Sequence, residues 1–154
     1  FHNGAYPQNF GQAFSFALPN LWYSAIGKSG KKNIVRNTDA YIKMLEKHKI
    51  DIISHMNYAI CADAVEVAKA CKHFGTLVEL NGKRVNLTDA EIEKMIENGV
   101  DFIVDSDAHS VDRVGDAALA EDLFSRVEFP FDRIDNIDGK TPSLRFAEWK
   151  KRNG

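Results

Sequence analysis

The sequence predicts an α/β fold with parallel strands, and three observations carry that prediction. Short β-branched runs recur about every 25 residues from position 50 onward. A segment with helical spacing lies between each pair of runs. The runs themselves, such as Phe102-Ile103-Val104, are almost wholly apolar, which suits strands covered on both faces. Strand–helix–strand units with short links build parallel sheets through right-handed connections. Two architectures satisfy the pattern: an open doubly wound sheet, or a piece of a (β/α) barrel.

The elements follow in order. Residues 3–36 precede the rhythm; they are rich in aromatics and glycine, and Pro19 interrupts any long helix. A stretch this long between elements serves as a lid, a binding loop or a partly disordered segment, and its aromatics either pack over the core or wall a pocket. Within it, GKSGKK at 27–32 looks like the end of a phosphate-binding loop, but that loop needs glycine at 22, where Trp22 stands. The regular part begins at about 37. Residues 38–48 read as a helix with Thr38 as its N-cap, and residues 50–54 as a strand. Residues 63–74 carry Ala64, Val67, Ala68, Cys71 and Phe74 on one helical face, with Asp63 and Glu66 marking the start and Gly75 the end.

Residues 76–80 form the next expected strand. Thr88 and Glu91 then have the spacing of a capping box, each side chain able to satisfy a backbone N–H of the first turn. Ile92, Met95 and Ile96 give that helix its apolar face, and Gly99 stops it. Residues 101–105 are the third strand, and helices are expected at about 114–125 and 141–151.

The 154 residues suit one domain, with 44% hydrophobic and 27% charged residues. A net charge of −2 gives no reason to expect a nucleic-acid or membrane surface. Cys61 and Cys71 are read within one helical segment, where ten residues put them roughly 15 Å apart, too far for a disulfide. They read as two reduced core thiols of a cytoplasmic protein. The chain opens on Phe1 rather than methionine, so it reads as a processed product or a fragment of a longer one.

The chemistry-bearing residues fall at strand ends. His55 follows the first strand, Asn81 the second, and Asp107 and His109 the third. In a parallel sheet these exits share one edge, the edge where α/β enzymes place their sites. Imidazole and carboxylate together hold zinc, manganese or iron, and a mixed shell with open positions suits hydrolysis. The competing reading is that these loop residues cap the helix that follows, and Asp105 is expected to cap or pair rather than bind metal. Lys83 and Arg84, just past Asn81, either hold a phosphate or are solvated surface charge. His48 and His73 sit in last turns of helices, where an imidazole favours the helix dipole.

IISHMN (52–57), VELNG (78–82) and DSDAHS (105–110), in that order and at these intervals, resemble the later motifs of the PHP (polymerase and histidinol phosphatase) family. FHN (1–3) and FPFDRIDN (129–136) are similar to further parts of its stand-alone phosphoesterases, of the YcdX or histidinol-phosphatase kind. The resemblance implies part of a distorted (β/α)7 barrel with a metal cluster at the carboxyl end. It implies metal ligands at His2, His55, Asp107 and His109, a pocket asparagine at Asn81, and a structural Ser106. Met56 stands where the family usually has proline. The family's opening His-x-His motif, its further histidines and its bridging glutamate are absent here, so the resemblance is to the C-terminal portion, lacking the N-terminal strands.

Two functions follow. One is a metal-dependent phosphoesterase acting on a small phosphorylated substrate, with the isolated chain inactive. The other is a non-catalytic half-barrel that self-associates through an open barrel edge. A third possibility, an unrelated barrel enzyme with a coincidental SDAH, would place His55 and Asp107 at opposite ends of the sheet.

Overall fold

The computed structural model describes residues 31–58, 60–142, 144, 145, 148 and 152. Helix α1 (Lys31–Lys47) leads into β1 (Ile52–Ile53), α2 (Ala64–Phe74), β2 (Leu77–Asn81), α3 (Asp89–Glu97), β3 (Phe102–Asp105) and α4 (Ala118–Arg126). Single 3₁₀ turns lie at Val111–Arg113 and Phe131–Arg133. The three strands pair in parallel in the order β1-β2-β3, with Ile52 beside Leu77 and Val78 beside Phe102.

Local signals set most of these boundaries. The Asp63 side chain accepts the N–H groups of Val65 and Glu66, and Gly75 closes α2 at φ 67°, a left-handed conformation that glycine adopts without a Cβ penalty. Thr88 and Glu91 make the full capping box at the start of α3. One expected cap is corrected. Helix α1 starts at Lys31, so residues 31–36 are helical rather than part of the expected loop, whose residues 3–30 lie outside the described residues. Thr38 consequently lies inside the helix. Its hydroxyl donates to the Ile34 carbonyl and accepts the Asp63 N–H, both at 2.8 Å. Thr38 therefore joins α1 to the cap of α2, a tertiary contact that mimics a capping signature in sequence. Cys61 is corrected too: it precedes α2, is exposed, and its carbonyl accepts the Asn37 amide at 2.8 Å. Cys71 is buried, and both thiols are free. His48 falls just past α1, and the expected 114–125 helix begins only at Ala118. Of the expected 141–151 helix, the described residues Arg145 and Glu148 are helical.

The sheet has two unlike faces, because side chains alternate along each strand. Val78, Leu80 and Phe102 join Val67, Cys71, Ile92, Met95 and Leu123 in one apolar core. The other face carries Leu77, Glu79 and Asn81 from β2 and Ile103 and Asp105 from β3, which register brings side by side. All five residues of β2 are buried. At β3 the outer edge is covered. Asp135 donates its N–H to Phe102, and the Asn136 side chain accepts from the Val104 N–H and donates to its carbonyl. Opposite the site, the Arg145 guanidinium joins the Asp51 carboxylate to the carbonyls of Ile50 and Phe74.

Candidate functional site

The parallel register brings the exits of β1, β2 and β3 to one edge. His55 leaves β1, Asn81 ends β2, and Asp107 follows β3. His55 Nε2 lies 3.1 Å from Asp107 Oδ2, across 52 residues of sequence. The two residues are therefore at the same end of the sheet, which removes the opposite-ends arrangement. Asp107 is partly buried, with 7% of its side chain exposed, while His55 shows 26%. His109 is mostly exposed; its Nδ1 lies 2.7 Å from the Asp107 carbonyl oxygen and 3.8 Å from Oδ1. His2 lies outside the described residues.

Both members of the central pair have left-handed backbone, His55 at φ 52° and Asp107 at φ 46°. That conformation is rare for residues bearing a Cβ and collects at functional sites. Each is held by a carboxylate on its own amide. Glu79 Oε2 accepts the His55 N–H at 2.8 Å, and Asp105 Oδ1 accepts the Asp107 N–H at 2.6 Å. Asp105 thus does what its sequence position implied. Glu79 was not legible as a site residue, although one signal existed: it is the only charged residue of the run TLVEL.

The electrostatics differ between the two acids. Burial raises the Glu79 carboxyl above its ordinary pKa, partly opposed by the His55 amide, the His55 ring and Asn81. At Asp107 burial also pushes upward, but the hydrogen bond and charge of His55, the charge of His109 and a hydrogen bond from Asn81 prevail. They hold its pKa below the usual carboxylate value. Asp107 is therefore ionised near neutrality.

Asn81 is buried and ties the rim together. Its Nδ2 donates to Glu79 at 3.1 Å, while its Oδ1 accepts the N–H groups of Lys83 and Arg84, each at 2.9 Å. Lys83 and Arg84 are exposed. The Arg84 guanidinium sits 4.4 Å from the centre of the Tyr58 ring, itself 6.1 Å from the His55 ring. Tyr58 carried no signal in the sequence. Gly82 is required by close approach: a Cβ there would lie 2.2 Å from the Asp116 carbonyl oxygen. Among the described residues, no group of three or more His, Cys, Asp or Glu side chains is arranged to hold a metal ion.

No family model matches the chain. It is similar to a protein named "Probable phosphatase" from Clostridium novyi (strain NT), at 30% identity over 118 residues, 70% of this chain and 48% of that protein. A second protein named "Probable phosphatase", from Shewanella piezotolerans (strain WP3 / JCM 13877), is 30% identical over 109 residues, 65% of this chain and 44% of the relative. The chain spans about half the length of the curated relatives it matches. Among the described residues no helix is long and apolar enough to cross a membrane.

Proposed function

We propose that the chain carries part of the catalytic centre of a metal-dependent phosphoesterase of the PHP type, acting on a small phosphate monoester. The observation that supports this best is the His55–Asp107 pair, delivered by two strand exits to within 3.1 Å. A nitrogen and an oxygen donor that close suit adjacent ions of one cluster, His55 on one and Asp107 on its neighbour. His2 and His109 are the further donors in this reading, with zinc, manganese or iron as the ion. A bound ion would lower the pKa of a water and neutralise charge on a phosphoryl oxygen.

The protein's own groups supply orientation. Asp107 stays ionised, so its carboxylate faces the His55 ring as an anionic donor. Asn81 folds the backbone that places Lys83 and Arg84 at the rim. Arg84, laid over Tyr58, keeps its N–H donors in a restricted plane suited to a phosphate. The likeness to two proteins named as phosphatases supports the reaction class. The free thiols are consistent with a cytoplasmic location, and self-association would use the outer edge of β1.

Turnover is assigned to a longer protein that supplies the remaining donors; the 154-residue chain alone is expected to release phosphate from p-nitrophenyl phosphate only at background. Its metal binding is the direct test. Calorimetric titration with zinc and with manganese should show uptake that falls at least about tenfold in Asp107→Ala and in His55→Ala. Equal uptake by the wild type and both variants overturns the assignment.

A further inference from the structure

Glu79 does not match its surroundings in β2. Its neighbours Val78 and Leu80 are fully buried, and Glu79 is itself only 7% exposed. A carboxylate in such a place persists only against a desolvation cost, so its partners matter. Oε2 accepts two N–H groups, one from the His55 main chain at 2.8 Å and one from the Asn81 side chain at 3.1 Å. The His55 ring is not among these bonds: its Nδ1 lies 3.9 Å away. The carboxylate grips the backbone of His55, 24 residues earlier in the chain, at the residue where φ turns to 52°.

Strand pairing explains how a strand residue reaches that amide. Ile53 pairs with Val78, so the chain beyond β1 passes the second half of β2. Without an acceptor there, the His55 N–H would lose its bond and the left-handed turn one of its restraints. The β3 exit uses the same device, with Asp105 holding the Asp107 N–H at 2.6 Å.

We propose that Glu79 is a positioning residue: by accepting the main-chain N–H of His55 it fixes the left-handed turn after β1 and so aims the imidazole at Asp107. The proposal rests on the reading of His55 and Asp107 as a metal-binding pair. It extends that reading to the residue that sets the pair's geometry, as groups behind a ligand commonly do.

Two substitutions separate this role from simple filling of space. Glu79→Met is close in length and offers no oxygen; Glu79→Gln keeps an acceptor oxygen and drops the charge. Two readouts apply to the 154-residue chain: the His55 amide proton shift in an ¹⁵N-correlation spectrum, and zinc affinity by calorimetry. In Glu79→Met the His55 amide signal should move upfield, out of the hydrogen-bonded range, and zinc affinity should fall about tenfold or more. Glu79→Gln should keep the signal in that range and recover most of the affinity. The proposal is overturned if Glu79→Met leaves both readouts unchanged, or if Glu79→Gln loses as much as Glu79→Met. A Gln variant that fails to fold also counts against it, because the role needs only an acceptor. If Glu79→Met fails to fold, the amide signal of Glu79→Gln decides. If the wild type binds no zinc, the metal reading falls, and the amide shifts alone decide the role of Glu79.

Discussion

His55 and Asp107 each carry a cost, about 1–3 kcal/mol for a left-handed non-glycine backbone. The carboxylates of Glu79 and Asp105 offset part of it through the two amides. The acids Glu79 and Asp107 should give opposite pH signatures. The Asp107 pKa is lowered in the fold, so its ionised form contributes stability above the unfolded value of about 3.9, lost as pH falls through the folded value. The Glu79 pKa is raised, so ionising it opposes folding as pH rises from about 4.3 through its folded value. Urea unfolding between about pH 3 and 8 should therefore show Glu79→Gln gaining on the wild type as pH rises, while Asp107→Asn falls behind it. Parallel curves for all three proteins would contradict both pKa directions.

At the scale of elements, the strands are short and depend on what covers them. β1 has two residues, and β3 is bounded on one side by β2 and on the other by residues 134–136. The Asn136 amide acts as a substitute strand, satisfying both backbone groups of Val104. Removing it leaves a donor and an acceptor of a half-buried residue unpaired, at roughly 1–3 kcal/mol per group where burial is complete. Asn136→Ala should therefore cost about 2–3 kcal/mol. Thr88→Ala, which breaks the capping box on the exposed start of α3, should cost about 1 kcal/mol. Denaturant midpoints rank the two, and an Asn136→Ala cost no greater than that of Thr88→Ala would mean water replaces the amide.

For the molecule as a whole, one apolar cluster joins α1, α2, α3, α4 and the sheet. Cys71 lies fully buried within it, and burial pushes its thiol up to about 12. Burial likewise raises the Tyr41 phenol to about 12. Since the thiolate is the reactive form, Cys71 should label only when the core opens. A thiol reagent at neutral pH should modify Cys61 at once and Cys71 with a denaturant dependence that follows loss of helical signal. Labelling of Cys71 well before that loss would show that the core opens locally around α2.

Signals within a few residues of one another were legible in the sequence. The Asp63 and Thr88 caps, the Gly75 stop, the three strands and the placing of His55, Asn81 and Asp107 at strand exits all rest on local periodicity and capping chemistry. Thr38 shows where that reasoning fails: its hydroxyl serves an amide 25 residues away, so a residue that looks like a cap sits inside a helix. Glu79 shows the same from the other side, because its partner lies 24 residues back and only parallel pairing brings them together. The sequence by itself determined the α/β class and which residue types reach the rim, since strand period and turn chemistry act over a few residues. Tertiary structure alone decided that His55 meets Asp107, that the Glu79 carboxylate accepts the His55 amide, and that Asn136 closes the sheet edge. Those contacts span tens of residues, and their geometry is set by register and packing rather than by any local preference.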